Sequence, residues 1–125
     1  MPLDAIGIVS FNLEQTIRFY KLLGIHLQKT GGPDHYEAKT SSGLRLMADS
    51  IELIKKLNPT YQKPNTSTIV LCFKQDTPAK VDELFNTITQ AGFKGVKDPW
   101  DAFWGQRYAS VEDPDHNQVD LFADL

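Results

Sequence analysis

Two short segments with matching side chains close the two halves of the chain. LRLMAD, Leu44–Asp49, aligns without gaps onto VDLFAD, Val119–Asp124, and each ends a block patterned as strand, helix and two or three strands. A pattern that recurs at a fixed offset argues for duplicated modules, each too small to cover its own sheet. The sequence therefore predicts an α+β fold of two tandem βαβββ modules, whose curved mixed sheets face one another around a cleft.

Module one is predicted over residues 4–49, with one helix after its first strand. Asn12 is the predicted N-cap, Gln15 three positions later completes the capping pair, and Gly24 ends the helix. Apolar runs bounded by turn-forming residues predict the strands, which are Ala5–Ser10, Ile25–Lys29, Tyr36–Thr40 and Leu44–Ala48. The order of elements is strand, helix and three strands.

Module two is predicted over residues 67–124, after a linker at about 50–66. Thr77 and Pro78 supply an N-cap and a first-turn proline, and Gly92 ends the helix. The same signals as in module one predict strands at Thr68–Phe73, Arg107–Glu112 and Gln118–Phe122. Because a chain of 125 residues has the usual size of one domain, both modules are expected within a single domain of residues 1–125.

Composition excludes several classes of protein. The net charge is −3 and the sequence pI is near 5.5, so the electrostatics favour no nucleic-acid partner. No apolar run reaches the length of a membrane span and the start of the chain lacks a cleavable leader, which predicts a cytoplasmic protein without membrane contact. The single cysteine, Cys72, lies in the apolar run IVLCF and is predicted to be buried and inert.

The element order and two motifs resemble the glyoxalase, bleomycin resistance and extradiol dioxygenase superfamily, also called vicinal oxygen chelate. The motifs are NLEQTIRFYKLLGI after the first strand and GQRYASVEDPDHNQVDLF at the end of the chain. In the second motif, His116 stands where the family usually has glycine, and Asp120 stands where it usually has glutamate. The resemblance covers nearly the whole chain and implies the same fold.

The resemblance also implies where a metal would be held in metal-dependent members, through two strand positions in each module. These positions correspond here to Ala5, Arg45, approximately Val70, and Asp120. Asp120 alone carries a donor atom, and Arg45 is a permanent cation. No metal, no other cofactor and no catalytic residue is therefore predicted. A metal-dependent lyase, isomerase or dioxygenase is the alternative, and a partner-binding scaffold is a third possibility.

The equivalence of Arg45 and Asp120 suggests a replacement for the metal. The geometry that brings two ligands to one ion would bring this guanidinium to this carboxylate, and pairing removes most of the cost of burying either charge. An ion pair between Arg45 and Asp120 is one hypothesis. The other is that Arg45 projects into solvent from its strand.

The segment DPWDAFWG, Asp98–Gly105, is rich in turn formers and is predicted to be a loop that carries both tryptophans. Large rings beside acidic residues would suit a planar or cationic ligand, although aromatic packing or a dimer contact explains them equally well. The predicted function is non-catalytic binding of an antibiotic-like small molecule, and the resemblance implies a homodimer. The predicted ligand-binding residues are Trp100, Trp104, Phe103, Arg45, Asp120, Tyr108 and Tyr36.

Overall fold

The computed structural model describes all residues, Met1–Leu125, and the chain divides into two compact units, Met1–Pro64 and Asn65–Leu125. The first unit contains module one. Its four strands form one mixed sheet in the order β1-β4-β3-β2, in which β1 is parallel to β4 and the other pairs are antiparallel. The elements are β1 Ala5–Ser10, α1 Leu13–Leu22, β2 Gln28–Lys29, β3 His35–Lys39, β4 Arg45–Ser50 and α2 Ile51–Leu57.

The second unit contains module two, which repeats the same plan without a counterpart of α2. Its sheet has the order β5-β8-β7-β6, again with the first strand parallel to the last. The elements are β5 Val70–Lys74, α3 Pro78–Gln90, β6 Gly95–Ala102, β7 Gln106–Glu112 and β8 Gln118–Asp124. The predicted α+β fold with two tandem βαβββ modules is therefore confirmed.

Helix α1 begins and ends where the sequence signals place it. The Asn12 side chain accepts a hydrogen bond from the backbone N–H of Gln15 at 3.1 Å, which satisfies one of the free N–H groups of the first turn. Phe19 and Tyr20 are completely buried against the sheet, and burial of each such ring is worth about 2 to 3 kcal/mol. Gly24 follows the helix with φ of 79°, a backbone conformation that glycine adopts without strain.

Helix α3 packs on one face of the module-two sheet. Thr77 caps it by accepting from the N–H of Lys80 at 3.3 Å, and Val81, Phe85 and Ile88 form its buried side. The helix lies so close to β6 that a Cβ added to Gly95 would stand 2.8 Å from Cζ of Phe85. The buried sheet residues beneath the helix are Ala109, Val111, Val119, Leu121 and Ala123.

The prediction of a loop at Asp98–Gly105 is wrong for most of the segment, because β6 extends from Gly95 to Ala102. Pro99 and Asp98 are poor strand residues, and the pairing of β6 with β7 shifts register on both sides of Lys97. Such a bulged strand does not show the clean alternation by which strands are recognised. Trp100 is therefore a strand residue opposite Tyr108, while Trp104 stands in the turn after β6.

Three other expectations are corrected. Cys72 is exposed rather than buried. It lies on β5, an edge strand of its sheet, whose alternate residues are uncovered on one face. Strand β2 is limited to Gln28–Lys29, shorter than predicted. The number of residues between equivalent positions of the two modules is also not constant. Ala5 is equivalent to Cys72 and Arg45 to Asp120, and the two pairs have different separations in the sequence. None of the helices combines the length and apolar composition of a membrane crossing.

Candidate functional site

The face of the module-two sheet opposite α3 gathers most of the predicted ligand-binding residues. Side chains opposite one another in an antiparallel pair share a face, and the register places Tyr108 between Trp100 and Phe122, and Asp120 between Ser110 and Cys72. We call this set the aromatic face, together with Phe103 and Trp104 of the following turn. It consists of Cys72, Trp100, Phe103, Trp104, Tyr108, Ser110, Asp120 and Phe122.

Asp120 is the buried polar centre of the aromatic face, with 6% of its surface exposed. One carboxylate oxygen accepts the Tyr108 hydroxyl at 2.7 Å, and the other accepts the Ser110 hydroxyl at 2.7 Å and the Gln118 amide at 2.9 Å. Three donors therefore offset the cost of burying the charge. Both carboxylate oxygens are occupied, so Asp120 is built to hold its neighbours in place.

Tyr108 is fixed as a donor by the same arrangement. Burial raises the pKa of Tyr108 far above its usual value of 10.0, and the hydrogen bond to Asp120 and the negative charge of that carboxylate raise this pKa further. The phenol therefore stays protonated and continues to donate to Asp120. Its ring stacks on Phe122 with centroids 6.0 Å apart and an interplanar angle of 24°.

The rings around Trp104 form a continuous cluster at the surface. The Trp104 centroid lies 5.5 Å from Trp100, 5.0 Å from Phe103 and 5.3 Å from Tyr108, each in an edge-to-face arrangement. Phe103 is 90% exposed and Trp104 is 49% exposed. Edge-to-face contacts fix the rings relative to one another, and Phe103 and Trp104 keep large parts of their rings open to solvent.

A chain of polar contacts holds the Trp104 indole in place. Its Nε1 donates to the Gln106 side-chain oxygen at 2.9 Å, and the Gln106 amide donates to Asp124 at 3.1 Å. Asp124 also pairs with Lys74 at 3.0 Å, and these contacts lower the pKa of Asp124. The Trp104 indole is thus held in one orientation by these contacts.

Asp101 does not contribute its charge to the aromatic face. It lies opposite Arg107 in the register, on the α3 side of the sheet, and accepts from that guanidinium at 3.1 Å. Arg107 also donates two hydrogen bonds to Asp82 of α3, at 2.9 and 3.1 Å. These bonds raise the pKa of Arg107, mainly because of Asp82, and they tie the helix to the sheet.

Module one carries a different set of side chains on the equivalent face, which we call the ionic face. His35 lies between two carboxylates: its Nδ1 is 2.5 Å from Asp49 and its Nε2 is 2.7 Å from Glu37. Hydrogen bonds to Asp49 and then to Glu37 raise the pKa of His35. Hydrogen bonds from His35 and then from Arg45 lower the pKa of Glu37. The ionic face comprises His35, Glu37, Arg45, Met47 and Asp49.

Arg45 and Asp120 each find partners within their own module. Arg45 donates to Asp4 at 2.7 Å and to Glu37, and these two carboxylates, Asp4 first, raise its pKa. Neither charge therefore depends on the other to offset the cost of its burial. Arg45 is held by carboxylates and does not simply point into solvent. Tyr36 lies opposite Ala48, on the α1 side of its strand, and so does not share a face with Arg45.

The positions that would hold a metal do not suit one. The register places Cys72, rather than Val70, opposite Asp120, just as Ala5 lies opposite Arg45. The donor set is then a methyl group, an ion-paired guanidinium, a thiol and a carboxylate whose oxygens are already hydrogen-bonded. His, Cys, Asp and Glu side chains nowhere converge in a group of three that could hold a metal ion.

Sequence reasoning missed several residues of these two faces. Ser110, Gln118 and Phe122 alternate with buried residues along β7 and β8. This alternation with a period of two was the sequence signal that could have placed them on the face opposite the core. The alternation of His35 and Glu37 on β3 would have indicated the ionic face in the same way. Trp100, Trp104, Phe103, Tyr108 and Asp120 are brought together on one face, whereas Arg45 and Tyr36 belong to module one.

Comparisons with known proteins agree with this architecture. The family model described as "Glyoxalase/Bleomycin resistance protein/Dioxygenase superfamily" matches residues 3–121, while no curated protein sequence matches the chain. A glyoxalase/bleomycin resistance protein/dioxygenase family enzyme from Burkholderia phytofirmans superimposes with a TM-score of 0.86 at 19% identity, covering 100% of both chains.

Two further solved structures are similar. A glyoxalase-related enzyme from Fulvimarina pelagi has a TM-score of 0.85 at 16% identity, over 98% of this chain and 88% of that one. A hypothetical protein from S. aureus has a TM-score of 0.83 at 16% identity, over 98% of this chain and 92% of that one. At such low identity the likeness establishes the fold alone.

Proposed function

This chain belongs to the glyoxalase/bleomycin resistance protein/dioxygenase superfamily, and we propose that it binds and sequesters a planar, antibiotic-like small molecule without altering it, in the manner of bleomycin resistance proteins. The observation that carries this proposal is the exposed, prepositioned ring cluster around Trp104. Phe103 and Trp104 present large apolar surfaces to solvent, and exposed apolar patches of this kind commonly mark ligand or partner sites.

The polar groups of the aromatic face support binding rather than chemistry. A general base needs a free lone pair within reach of the substrate, and a nucleophile needs an adjacent base. Both carboxylate oxygens of Asp120 accept hydrogen bonds from neighbouring side chains, and the Tyr108 hydroxyl donates its hydrogen bond to Asp120. These groups keep the rings rigid, which favours shape-based binding of a flat molecule.

The test is a fluorescence titration with 9-anthracenemethanol, a neutral planar probe that absorbs where tryptophan emits. The wild-type protein should show saturable quenching of its tryptophan emission. Phe103→Ala should weaken binding about threefold to tenfold, because it removes one ring contact. It should change the free energy of unfolding by less than about 0.5 kcal/mol, since Phe103 is almost fully exposed.

Leu57→Ala is the matched control, because Leu57 is an exposed apolar residue at the end of α2 in the first unit. It should leave the affinity for the probe unchanged. Absence of saturable quenching in the wild type, or equal affinities in wild type and Phe103→Ala, would refute binding at the aromatic face.

The alternative, a metal-dependent lyase, isomerase or dioxygenase, is tested by metal analysis of freshly purified protein. Under the sequestration proposal, no divalent metal should be retained in stoichiometric amount, and added metal should not change the affinity for 9-anthracenemethanol. One equivalent of tightly held metal that is lost in Asp120→Ala would replace our proposal with the enzymatic one.

The homodimer implied by the family resemblance and the cytoplasmic location predicted from the composition remain proposals. The oligomeric state is tested by size-exclusion chromatography with light scattering on the full chain. A mass of twice the chain mass of 14.1 kDa, independent of dilution in the micromolar range, is the expected result. A monomer at all concentrations would contradict it.

A further inference from the structure

The carboxylates that β7 and β8 place on the aromatic face are engaged by donors of this chain. Asp120 accepts from Tyr108, Ser110 and Gln118. Asp124 and Glu112 have partners as well: Asp124 pairs with Lys74 and Gln106, and Glu112 lies 3.0 Å from His116 and 3.8 Å from Lys94. These three carboxylates therefore do not present free negative charge on this face.

Lys97 is the exception among the charged groups of the face. It lies opposite Ser110 in the register, and residues opposite one another share a face, so its side chain lies on the side of Asp120 and Tyr108. Its ammonium stands over the Trp100 ring, 5.1 Å from the centroid. It forms no ion pair, and the residue is exposed. Lys97 is thus an uncompensated positive charge beside the ring cluster.

We propose that Lys97 makes the aromatic face selective for planar acids over planar cations of the same shape; this inference rests on the proposed function. A flat ligand stacked on the exposed Trp104 ring, whose centroid lies 5.5 Å from that of Trp100, brings a carboxylate or sulfonate substituent toward the Lys97 ammonium over Trp100. A cationic ligand meets the ammonium as a like charge, and it must displace Lys97 to use the Trp100 ring.

The charge of this face does not follow from the number of acidic residues in the segment. The chain from Asp98 onward is rich in acidic residues, but a count takes no account of which face of the sheet each side chain lies on or which donor it bonds. Asp101 is held by Arg107 on the α3 side of the sheet. The local arrangement of charges, and not the net charge of the segment, determines which ligand is favoured.

The test compares three probes with the same ring system: anthracene-9-carboxylate, 9-anthracenemethanol and 9-(aminomethyl)anthracene in its ammonium form. Dissociation constants come from tryptophan quenching at pH 7 and low ionic strength. The carboxylate should bind wild type about threefold to tenfold more tightly than the ammonium, the range of one exposed charge contact. In 0.5 M salt the ratio should fall toward one, since salt screens exposed charges.

Lys97→Gln should bring the carboxylate-to-ammonium ratio close to one without changing the affinity for the neutral probe by more than about twofold. Lys80→Gln is the matched control, because it removes the same charge from α3, on the other side of the sheet. It should leave the ratio at the wild-type value. Both lysines are exposed, so neither variant should affect folding.

The outcomes distinguish the selectivity role of Lys97 from the binding function on which it rests. If 9-anthracenemethanol binds but the ammonium binds as tightly as the carboxylate, the role of Lys97 is overturned while sequestration stands. A preference for the acid that survives Lys97→Gln, or that Lys80→Gln abolishes equally, also overturns the role of Lys97. If none of the three probes gives saturable quenching, the binding function and the inference fail together.

Discussion

The two modules share one backbone plan but fill the equivalent faces of their sheets with opposite kinds of chemistry. The ionic face of module one joins its carboxylates to cations, whereas the aromatic face of module two surrounds a carboxylate with neutral donors and rings. The strand pairings make the equivalence residue by residue. With module one first, the corresponding pairs are Arg45 and Asp120, Met47 and Phe122, Asp49 and Asp124, Glu37 and Tyr108, and His35 and Gln106.

The comparison shows how one architecture yields two surfaces. In module one, side chains about a quarter exposed satisfy one another as ion pairs and leave little for a ligand to contact. In module two, neutral partners satisfy Asp120, and the remaining positions are free to carry rings. The fold places side chains at the same points in both modules, but residue type alone determines which module carries an aromatic surface.

The largest effect is expected from Asp120→Ala, which breaks the buried centre of module two. Three donors, those of Tyr108, Ser110 and Gln118, would lose a buried acceptor, and the free energy of unfolding should fall by about 3 kcal/mol. The equivalent change in module one, Arg45→Ala, should cost less, because water reaches its carboxylate partners. Urea denaturation of both variants measures the difference.

Asp120→Asn serves as the control for shape, since it keeps the volume and one acceptor oxygen. It should lie between wild type and Asp120→Ala in stability. If Arg45→Ala is as destabilising as Asp120→Ala, the contrast between a neutral-donor centre and a solvent-reached ionic face is refuted.

A smaller effect, which depends on pH, is expected in module one. The pKa of His35 is raised above its ordinary value of 6.5, first by the hydrogen bond to Asp49 and then by that to Glu37. The protonated ring can donate to both carboxylates, whereas the neutral ring can donate to one. The stabilisation is therefore complete below the ordinary pKa and is lost as the pH rises through the pKa of the folded state.

The pKa of Glu37 is lowered from 4.5, chiefly by its hydrogen bond to His35, so its contribution has the opposite sense and is lost as the pH falls through the lowered value. The ionic face should thus stabilise module one most between about pH 5 and 6.5. The stability advantage of wild type over His35→Gln should shrink from pH 6 to pH 9. His26→Gln, at an exposed histidine without a carboxylate partner, should show no such trend.

NMR titration of the His35 ring measures the pKa directly. A value at or below 6.5 in the folded protein would contradict the ionic face as described. A stability difference from His35→Gln that is constant with pH would contradict it as well.

Helices and their caps were predictable because the signals are local. Asn12, Thr77, Gly24 and Gly92 act within one turn of their own position, and the structure uses each as predicted. Strand β6 was not predictable in this way, since Pro99 and two register shifts hide its alternation.

The candidate site was predictable only in part, because its chemistry depends on pairing between distant strands. The rings of Trp100, Trp104 and Tyr108 could be chosen by residue type alone. The partners of Asp120, the place of Lys97 over Trp100, and the exposure of Cys72 follow from register and strand order. Sequence offered no local signal for these.

The smallest effect concerns the turns that join the last two strands of each module. The module-one turn contains Gly43 with φ of 93°, whereas the module-two turn contains His116 with φ of 68°. A residue with a Cβ is strained in this left-handed region, although histidine tolerates it better than branched residues. Glycine at position 116 relieves this strain, but the exposed contact between His116 and Glu112 is lost. The net effect of His116→Gly should be a rise of about 0.5 kcal/mol in the free energy of unfolding.

Gly43→Ala is the reciprocal variant in module one and should lower the stability by about 1 kcal/mol, because alanine must adopt the left-handed conformation. Thermal denaturation of both variants at one pH provides the comparison. Stabilisation by His116→Gly together with destabilisation by Gly43→Ala would show that both turns need the same backbone conformation. If His116→Gly is destabilising, the contact with Glu112 outweighs the backbone strain. The turn of module two would then be stabilised by a side chain, whereas the turn of module one is stabilised by glycine.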